Sequence, residues 1–362
     1  MIDIQHYIRE LENYLNTNGV ESLWVSEGIK VKQYGDYPLY CLKYSSWSNK
    51  ESPLVKACRG TIVSLRDRVY RVESIPFIRF FNLGETEAPQ DFNWNSYEAY
   101  EKYDGSLVTL FNYHGEWLLS SSSTIEGLIN DYRVSDLFWN IWEGSGYPTN
   151  LDNLDPSQIY IWELCSKVNK VVVNYPEEML VLLAVRSKFD LSELNLDCFK
   201  EKFKVAQRFK FSSKEELLKF VNSRKAGKSE GLVIKDSKGN RIKVKSREYV
   251  KFHNRLNDNK PNLGEIWALG ELEEFLSYFP NYCDSAEEMI SKIKEKSLML
   301  EEFLNENQEL SQKQFALKVL DNLPDFSMVL FHIRSGKSPN LESWLRLGKN
   351  YDFIKSKLMG ES

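Results

Sequence analysis

The chain has 362 residues, 42% of them hydrophobic, 27% charged and 13% aromatic. That is enough apolar material to offset the entropy of ordering, so a disordered chain and a stapled mini-protein are both excluded, and the length predicts about two domains. Lys and Arg number 47 against 52 Asp and Glu, a net charge of −5, so a polyanionic partner must be held by a local basic cleft rather than by the field of the whole molecule.

The five cysteines, Cys41, Cys58, Cys165, Cys198 and Cys283, are scattered and never spaced C-x-x-C, and the four histidines lack the H-E-x-x-H spacing. Both observations argue against a zinc site or a disulfide framework. The longest uninterrupted apolar run, Met179 to Val185, is far shorter than the roughly 20 residues a bilayer requires. Asp3, Arg9, Glu10 and Glu12 interrupt any signal-peptide core, so a soluble chain in a reducing, cytoplasmic compartment is expected.

Along the first 250 or so residues, short apolar or alternating runs separated by Gly, Asn, Asp and Pro predict strands with interspersed helices, at 60–65, 107–113, 160–164, 171–174, 180–185, 231–235 and 241–245. From about Leu256 the spacing becomes helical. Met289, Ile290, Ile293, Leu300, Phe303 and Leu304 fall on one helix face, with Ser285 and Glu288 expected as its capping box. Further helices are predicted at 312–320 and around 341–347. Asn, Asp, Lys and Pro cluster at 254–261, which sets the expected domains at 1–254 and 255–362. Two Gly-Lys-Ser triplets, at 227–229 and 336–338, lack the earlier glycine of a phosphate-binding P-loop, because those positions hold Asn222 and Phe331. They read as ordinary loops.

The stretch Glu101-Lys102-Tyr103-Asp104-Gly105-Ser106-Leu107 stands directly before an apolar strand. A lysine attacks phosphorus only as the free amine, so the usual pKa of about 10.4 must be pulled down by neighbouring cations or a metal. Taken alone, Lys followed by an Asp-Gly turn is more commonly the start of a solvated hairpin. In Arg241-Ile242-Lys243-Val244-Lys245, period two puts Ile242 and Val244 on one strand face and both lysines on the other, where they can line a phosphate cleft or a solvent edge. Glu163 and Glu230 lie within or just before buried-looking strands; carboxylates so placed can hold a divalent metal or accept from a ribose hydroxyl, and each one alone is more commonly a surface or salt-bridge residue.

Taken together, the order Arg59-Gly60, Lys102-x-Asp104-Gly105, Trp162-Glu163, Glu230-Gly231 and Lys243-x-Lys245 resembles the covalent nucleotidyltransferases, the superfamily of ligases and capping enzymes. Within it the sequence is most similar to the ATP-dependent RNA ligases of the bacteriophage T4 RNA ligase 1 family. The similarity extends through Ala57–Ile62, Arg79-Phe80-Phe81-Asn82-Leu83-Gly84-Glu85, Asn169-Lys170-Val171-Val172 and Ser246 with Tyr249, Val250 and His253. Two features set the chain apart from DNA ligases and capping enzymes: Leu107 stands where they usually carry Arg, and the chain turns helical where they continue into a β-rich OB domain.

The resemblance implies an α+β fold, in which an ATP-grasp-like adenylation domain of antiparallel sheets with flanking helices precedes an all-helical C-terminal domain able to dock RNA. It implies that Lys102 attacks the α-phosphorus of ATP, that AMP passes to an RNA 5′-phosphate, and that a 3′-hydroxyl displaces it to seal the strand. Carried over by position, Lys243 and Lys245 would neutralise the α-phosphate, Arg59 would contact the nucleotide and Arg79 the outer phosphates. Glu101 joins the nucleotide-binding set, and Glu163 and Glu230 would serve ribose and the metal, Mg2+ or Mn2+. The implied partners are RNA ends such as those of cleaved tRNA and separate end-healing enzymes, with no membrane; a monomer is expected.

Three positions depart from the family pattern. Arg79 stands where Lys is usual, and 120–123 is all serine where a functional lysine is common. Glu273 and Glu274 fall near a paired-aspartate position that helps to bind a second metal, although an exposed acidic helix face is the favoured reading there. The competing functions are a DNA-sealing or capping-type nucleotidyltransferase and an RNA-binding relative that has lost catalysis.

Overall fold

A computed structural model describes residues 4–45, 47–129, 131–148, 151–169, 172–253 and 261–358. Lys170, Val171 and most of the expected boundary segment lie outside the described residues. The chain divides into two compact units, 1–257 and 258–362.

In the first unit, helix α1 (Ile4–Asn18) buries Ile8, Leu11 and Leu15, spaced so that they share one face. They join a core with a four-stranded antiparallel sheet, β1 (Ile29–Gln33), β2 (Leu39–Tyr44), β3 (Arg59–Arg66) and β4 (Val69–Ser74), in that order. Two short helices, α2 (Ser22–Glu27) and α3 (Pro53–Ala57), flank it. Next along the chain come β5 (Phe81–Asn82), β6 (Tyr97–Lys102), β7 (Ser106–Tyr113), β8 (Glu116–Ser121) and the small ribbon of β9 (Leu128–Ile129) with β10 (Tyr132–Arg133). After helix α4 (Val134–Gly144) come β11 (Gln158–Cys165), β12 (Met179–Ser187), β13 (Arg208–Phe209), helix α5 (Lys214–Ser223), β14 (Gly231–Asp236), β15 (Arg241–Lys245) and helix α6 (Arg247–His253).

These strands form a second sheet in the order β12-β11-β7-β8 and a third in the order β13-β6-β14-β15-β5. All pairings are antiparallel except that of β15 with β5. The second sheet is buried on both faces, which is why its strands read as near-continuous apolar runs. Phe111, Ile159 and Ile161 point into the core shared with the first sheet, whereas Tyr160, Trp162 and Leu164 pack with Phe138 and Trp142 of α4. The third sheet buries Leu232, Ile234, Ile242 and Val244 against Leu217 and Val221 of α5, so its alternation holds as expected.

Six of the seven predicted strands are present. The exception is 171–174: its described residues, 172–174, are not a strand. The backbone N–H groups of Val172 and Val173 donate instead to one carboxylate oxygen of Asp104, at 2.8 and 2.7 Å. A β-branched run that looks like a strand has its donors satisfied by a side chain.

Glu193 joins the second and third sheets. Its carboxylate meets Arg186 of β12 at 2.7 Å, Lys235 of β14 at 2.8 Å and Arg241 of β15, and Arg186 also donates to the carbonyls of Pro76 and Leu191. Burial works against the Glu193 carboxylate, but the three cations outweigh it and hold its pKa far below the usual carboxylate range. Because the folded value lies below the unfolded one, this stabilisation is complete at neutral pH and is lost as the pH falls below about 4.3. Glu193→Gln is expected to destabilise the first unit by about 3 to 5 kcal/mol at pH 7, since it leaves buried cations uncompensated. Chemical unfolding of both proteins between pH 7 and pH 3 checks this, and the difference between them should shrink on the acid side.

The second unit is helical throughout its described residues: α7 (Leu263–Ala268), α8 (Leu272–Tyr278), α9 (Cys283–Glu306), α10 (Gln312–Asn322), α11 (Ser327–Arg334) and α12 (Leu341–Leu345). Helix α9 buries Met289, Ile293 and Leu300, as its spacing predicts. It starts at Cys283, so Ser285 and Glu288 already lie inside the helix and are not a capping box. The capping box belongs to α10, where Ser311 and Gln314 bond reciprocally. No helix among the described residues is long and apolar enough to cross a membrane. The α+β class, antiparallel sheets followed by helices, is as expected.

Candidate active site

Three strands bring residues from distant parts of the sequence abreast. In the third sheet Lys102 at the end of β6 pairs with Gly231 of β14, which pairs in turn with Lys245 of β15. Residues opposite one another in a ladder share a face, so Lys102, Lys243 and Lys245 lie on the face away from the α5 core. Glu230 closes the group. It is buried, accepts from Lys102 Nζ at 2.6 Å and lies 3.5 Å from Lys245 Nζ. Burial raises its pKa, yet Lys102, Lys245 and Lys243 together outweigh that and hold the carboxyl below its ordinary value.

Glycine is required here by close backbone approach. A Cβ on Gly231, whose φ is +152°, would lie 2.1 Å from the carbonyl oxygen of Val244. One on Gly105 would lie 2.3 Å from that of Leu164, so the turn after Lys102 presses directly on β11. Glu163 of β11 grips that turn, accepting from the Gly105 N–H at 3.1 Å. Its own carboxyl is pushed up to about 7, mainly by burial, with Lys102 opposing the shift and the Glu230 charge adding to it.

Asp104 is the hub of the turn. Its second oxygen accepts from the Tyr249 hydroxyl at 2.8 Å, while its own N–H donates to Tyr175 Oη at 2.8 Å. Tyr249 in α6 also lies under Lys245, whose Nζ is 5.7 Å from the ring centre. Asn169 fastens the next residues, donating to Ser106 Oγ at 2.9 Å and to the carbonyl of Leu164 at 2.7 Å. Nothing in the spacing of the sequence assigns a role here to the long-range partners Tyr175, Arg224 and Ser229.

The remaining candidates are placed as follows. Asn82 of β5 pairs beside Lys243, and the Lys243 ammonium lies 5.1 Å from the ring of Phe80. Next to it, Arg79 stacks its guanidinium on Tyr44 at 4.4 Å and Phe81 at 5.2 Å, and lines with Phe80, Lys235 and Arg241 a cavity of ≈ 860 Å³. Arg59 begins β3 and acts electrostatically on Glu163. Its neighbour Gly60, φ +87°, packs on the backbone of Ser121 and Ser122. Glu101 alternates to the core-facing side of β6, where Arg224 at 2.5 Å and Ser229 at 2.7 Å take up its oxygens. Glu273 and Glu274 stand in the first turn of α8 in the other unit. Glu274 is buried, so the expected exposed acidic face is not what is found. Among the described residues no group of three or more His, Cys, Asp or Glu is arranged to hold a metal ion.

The sequence pattern of the RNA ligase family matches residues 57–257, a segment that spans every one of these motifs from Arg59 to Lys245. The chain belongs to the RNA ligase family. It is 31% identical over 294 residues to a protein of Autographa californica nuclear polyhedrosis virus named as a bifunctional polynucleotide kinase/RNA ligase, covering 74% of this chain and 41% of that protein. An RNA ligase of Rhodothermus phage RM378 is 30% identical over 217 residues, covering 51% of this chain and 49% of that protein. The chain thus spans less than half the length of either relative. Among solved structures, an archaeal ATP-dependent RNA ligase aligns with a TM-score of 0.49 and 14% identity, over 73% of this chain and 67% of the other. Within this RNA ligase family member, the Lys102 turn lies inside the matched segment, and the second-unit pair Glu273 and Glu274 lies beyond it.

Proposed function

We propose that the protein is an ATP-dependent RNA ligase that joins RNA 5′-phosphate and 3′-hydroxyl ends through a lysyl-AMP and an RNA-adenylate. The observation that carries this is the alignment of Lys102, Gly231 and Lys245 across one sheet with Glu230 between the two lysines, in a chain of this family. Lys102 Nζ attacks the ATP α-phosphorus, forming a P–N bond as the bond to pyrophosphate breaks. The RNA 5′-phosphate oxygen then attacks the same phosphorus and releases the lysine. Finally the 3′-hydroxyl attacks the RNA phosphorus and AMP leaves. Lys243 and Lys245 offset the charge that develops on the α-phosphate. Arg59 contacts the nucleotide, Arg79 the outer phosphates, and Glu101 contributes by fixing the end of the strand that carries Lys102.

Glu163 and Glu230 fit a divalent cation, magnesium or manganese, in their donor chemistry. Two neighbouring carboxylates without a third protein ligand are what a cation completed by phosphate oxygens and water requires. When bound, such an ion supplies positive charge against the phosphates. In this reading the pair serves the ribose and the cation, Glu273 and Glu274 assist a second one, and the helical unit docks the RNA, with tRNA cleaved in the anticodon loop as the substrate class. The ends would be healed by separate proteins.

Incubation of the full chain with α-labelled ATP and magnesium, followed by intact mass, tests the reading. An AMP adduct on Lys102 supports it, an adduct formed only with GTP points to capping-type chemistry, and no adduct in folded, initially unadenylylated protein leaves an RNA-binding protein.

A further inference from the structure

The first sheet carries a row of cations that begins at Arg59 and leads away from the site just described. Lys30 of β1 pairs with Lys43 of β2, and Lys43 pairs with Arg59 of β3. Lys30 and Lys43 therefore stand side by side on one face, about 5 Å apart; the register of β2 against β3 shifts at Lys43, and Arg59 lies near enough for its charge to act on Lys43. Like charges directly opposite in a ladder are destabilising, and none of the three forms an ion pair with a carboxylate among the described residues. The Lys43 pKa is lowered, by burial first and then by the charges of Arg59 and Lys30. Such a row persists at a cost unless an anion is drawn to it.

The row has direction. Arg59 lies within electrostatic reach of Glu163, which holds the Lys102 turn. Beside Arg59, the packing of Gly60 on Ser121 and Ser122 presents no cation. Lys43 is half-buried, and Lys30 at the far end is exposed. The row thus runs from the cleft to solvent. At its outer end the Lys30 ammonium lies 5.9 Å from the ring of Trp24, which meets Trp47 edge to face at 5.0 Å. Cations that follow a backbone, with aromatic rings to receive bases, are the physical means of holding a single strand.

We infer that Lys30, Lys43 and Arg59, with Trp24 at the outer end, form a track along which a single-stranded RNA end enters the cleft, its phosphates on the cations and a base against the ring. This rests on the ligase reading, and it assigns Lys30, Lys43 and Trp24 to substrate binding.

The test uses the full chain and a 3′-fluorescent RNA decamer with a 5′-phosphate, followed by anisotropy over a salt series. Lys30→Ala/Lys43→Ala should bind at least about tenfold more weakly at low salt, and its dependence of log K on log salt should flatten by about 1.4, at roughly 0.7 per lost contact on a single strand. Lys30→Arg/Lys43→Arg should retain most of the affinity. Removing the like charges should leave thermal stability equal or raised, which separates loss of binding from loss of fold. An alanine double variant with wild-type affinity and slope overturns the track. So does one that binds RNA normally but forms the adenylate slowly, because the row would then serve the triphosphate. If wild type forms the adduct and binds RNA while the double variant is unaffected, only this inference fails; if wild type does neither, the ligase reading fails as well.

Discussion

Lys102→Ala is expected to form no AMP adduct and to seal no 5′-phosphate end, yet to go on joining RNA that already carries a 5′-adenylate. The side chain is needed only while AMP is attached to its nitrogen. The last step, attack of the 3′-hydroxyl with AMP leaving, uses the cations and carboxylates that remain. The truncation removes one of the charges around Glu230, but Lys245 at 3.5 Å stays in place, and Lys102 itself is partly exposed. The cleft should keep its shape. Adduct formation should drop below detection, and joining of pre-adenylylated RNA should stay within about tenfold of wild type, a change of about 1.4 kcal/mol in barrier. Loss of both activities in a variant that melts like wild type would remove Lys102 from its assigned role.

Lys245→Ala should slow both adduct formation and sealing on the order of 100- to 1000-fold, the range seen when one preorganised donor to a developing charge is removed. No neighbour can take its place. Lys243 is the next cation along β15, but it lies against Phe80 at 5.1 Å, two residues away on the ladder. Lys245 also contributes to keeping Glu230 ionised inside the protein, so its loss disturbs a buried carboxylate as well as a phosphate contact. Single-turnover rates separate the two steps. Lys245→Arg keeps the charge, though its planar fork replaces a point charge, and it should recover only part of the rate. A near wild-type rate for Lys245→Ala would return this strand face to a solvent-edge role.

Much of this arrangement was legible because its signals are local. Alternation in 241–245 gave the lysine face, and the apolar runs gave the buried strands of the second sheet. The glycines at 105 and 231 stood beside the charged residues they serve, although only the structure shows the carbonyls that exclude a Cβ. What stayed hidden depends on contacts across long stretches of chain. Val172 and Val173 have strand-forming side chains, but Asp104, far earlier in the sequence, takes their N–H groups. The Glu193 clasp draws its three cations from separate strands, and no spacing rule connects them. Ser285 and Glu288 have the spacing of a capping box but lie within α9, whereas in α10 Ser311 and Gln314 form one.

The ladder that sets Lys102, Gly231 and Lys245 abreast also restricts how such a sequence can change over evolutionary time. A single residue inserted into β15 would turn Ile242 and Val244 toward the cleft and the lysines into the α5 core. The same insertion into β6 would exchange Lys102 with Glu101. These strands can vary in side-chain type at their core positions but not in length, so gain and loss of residues is channelled into the connections between them, where the pairing register is untouched.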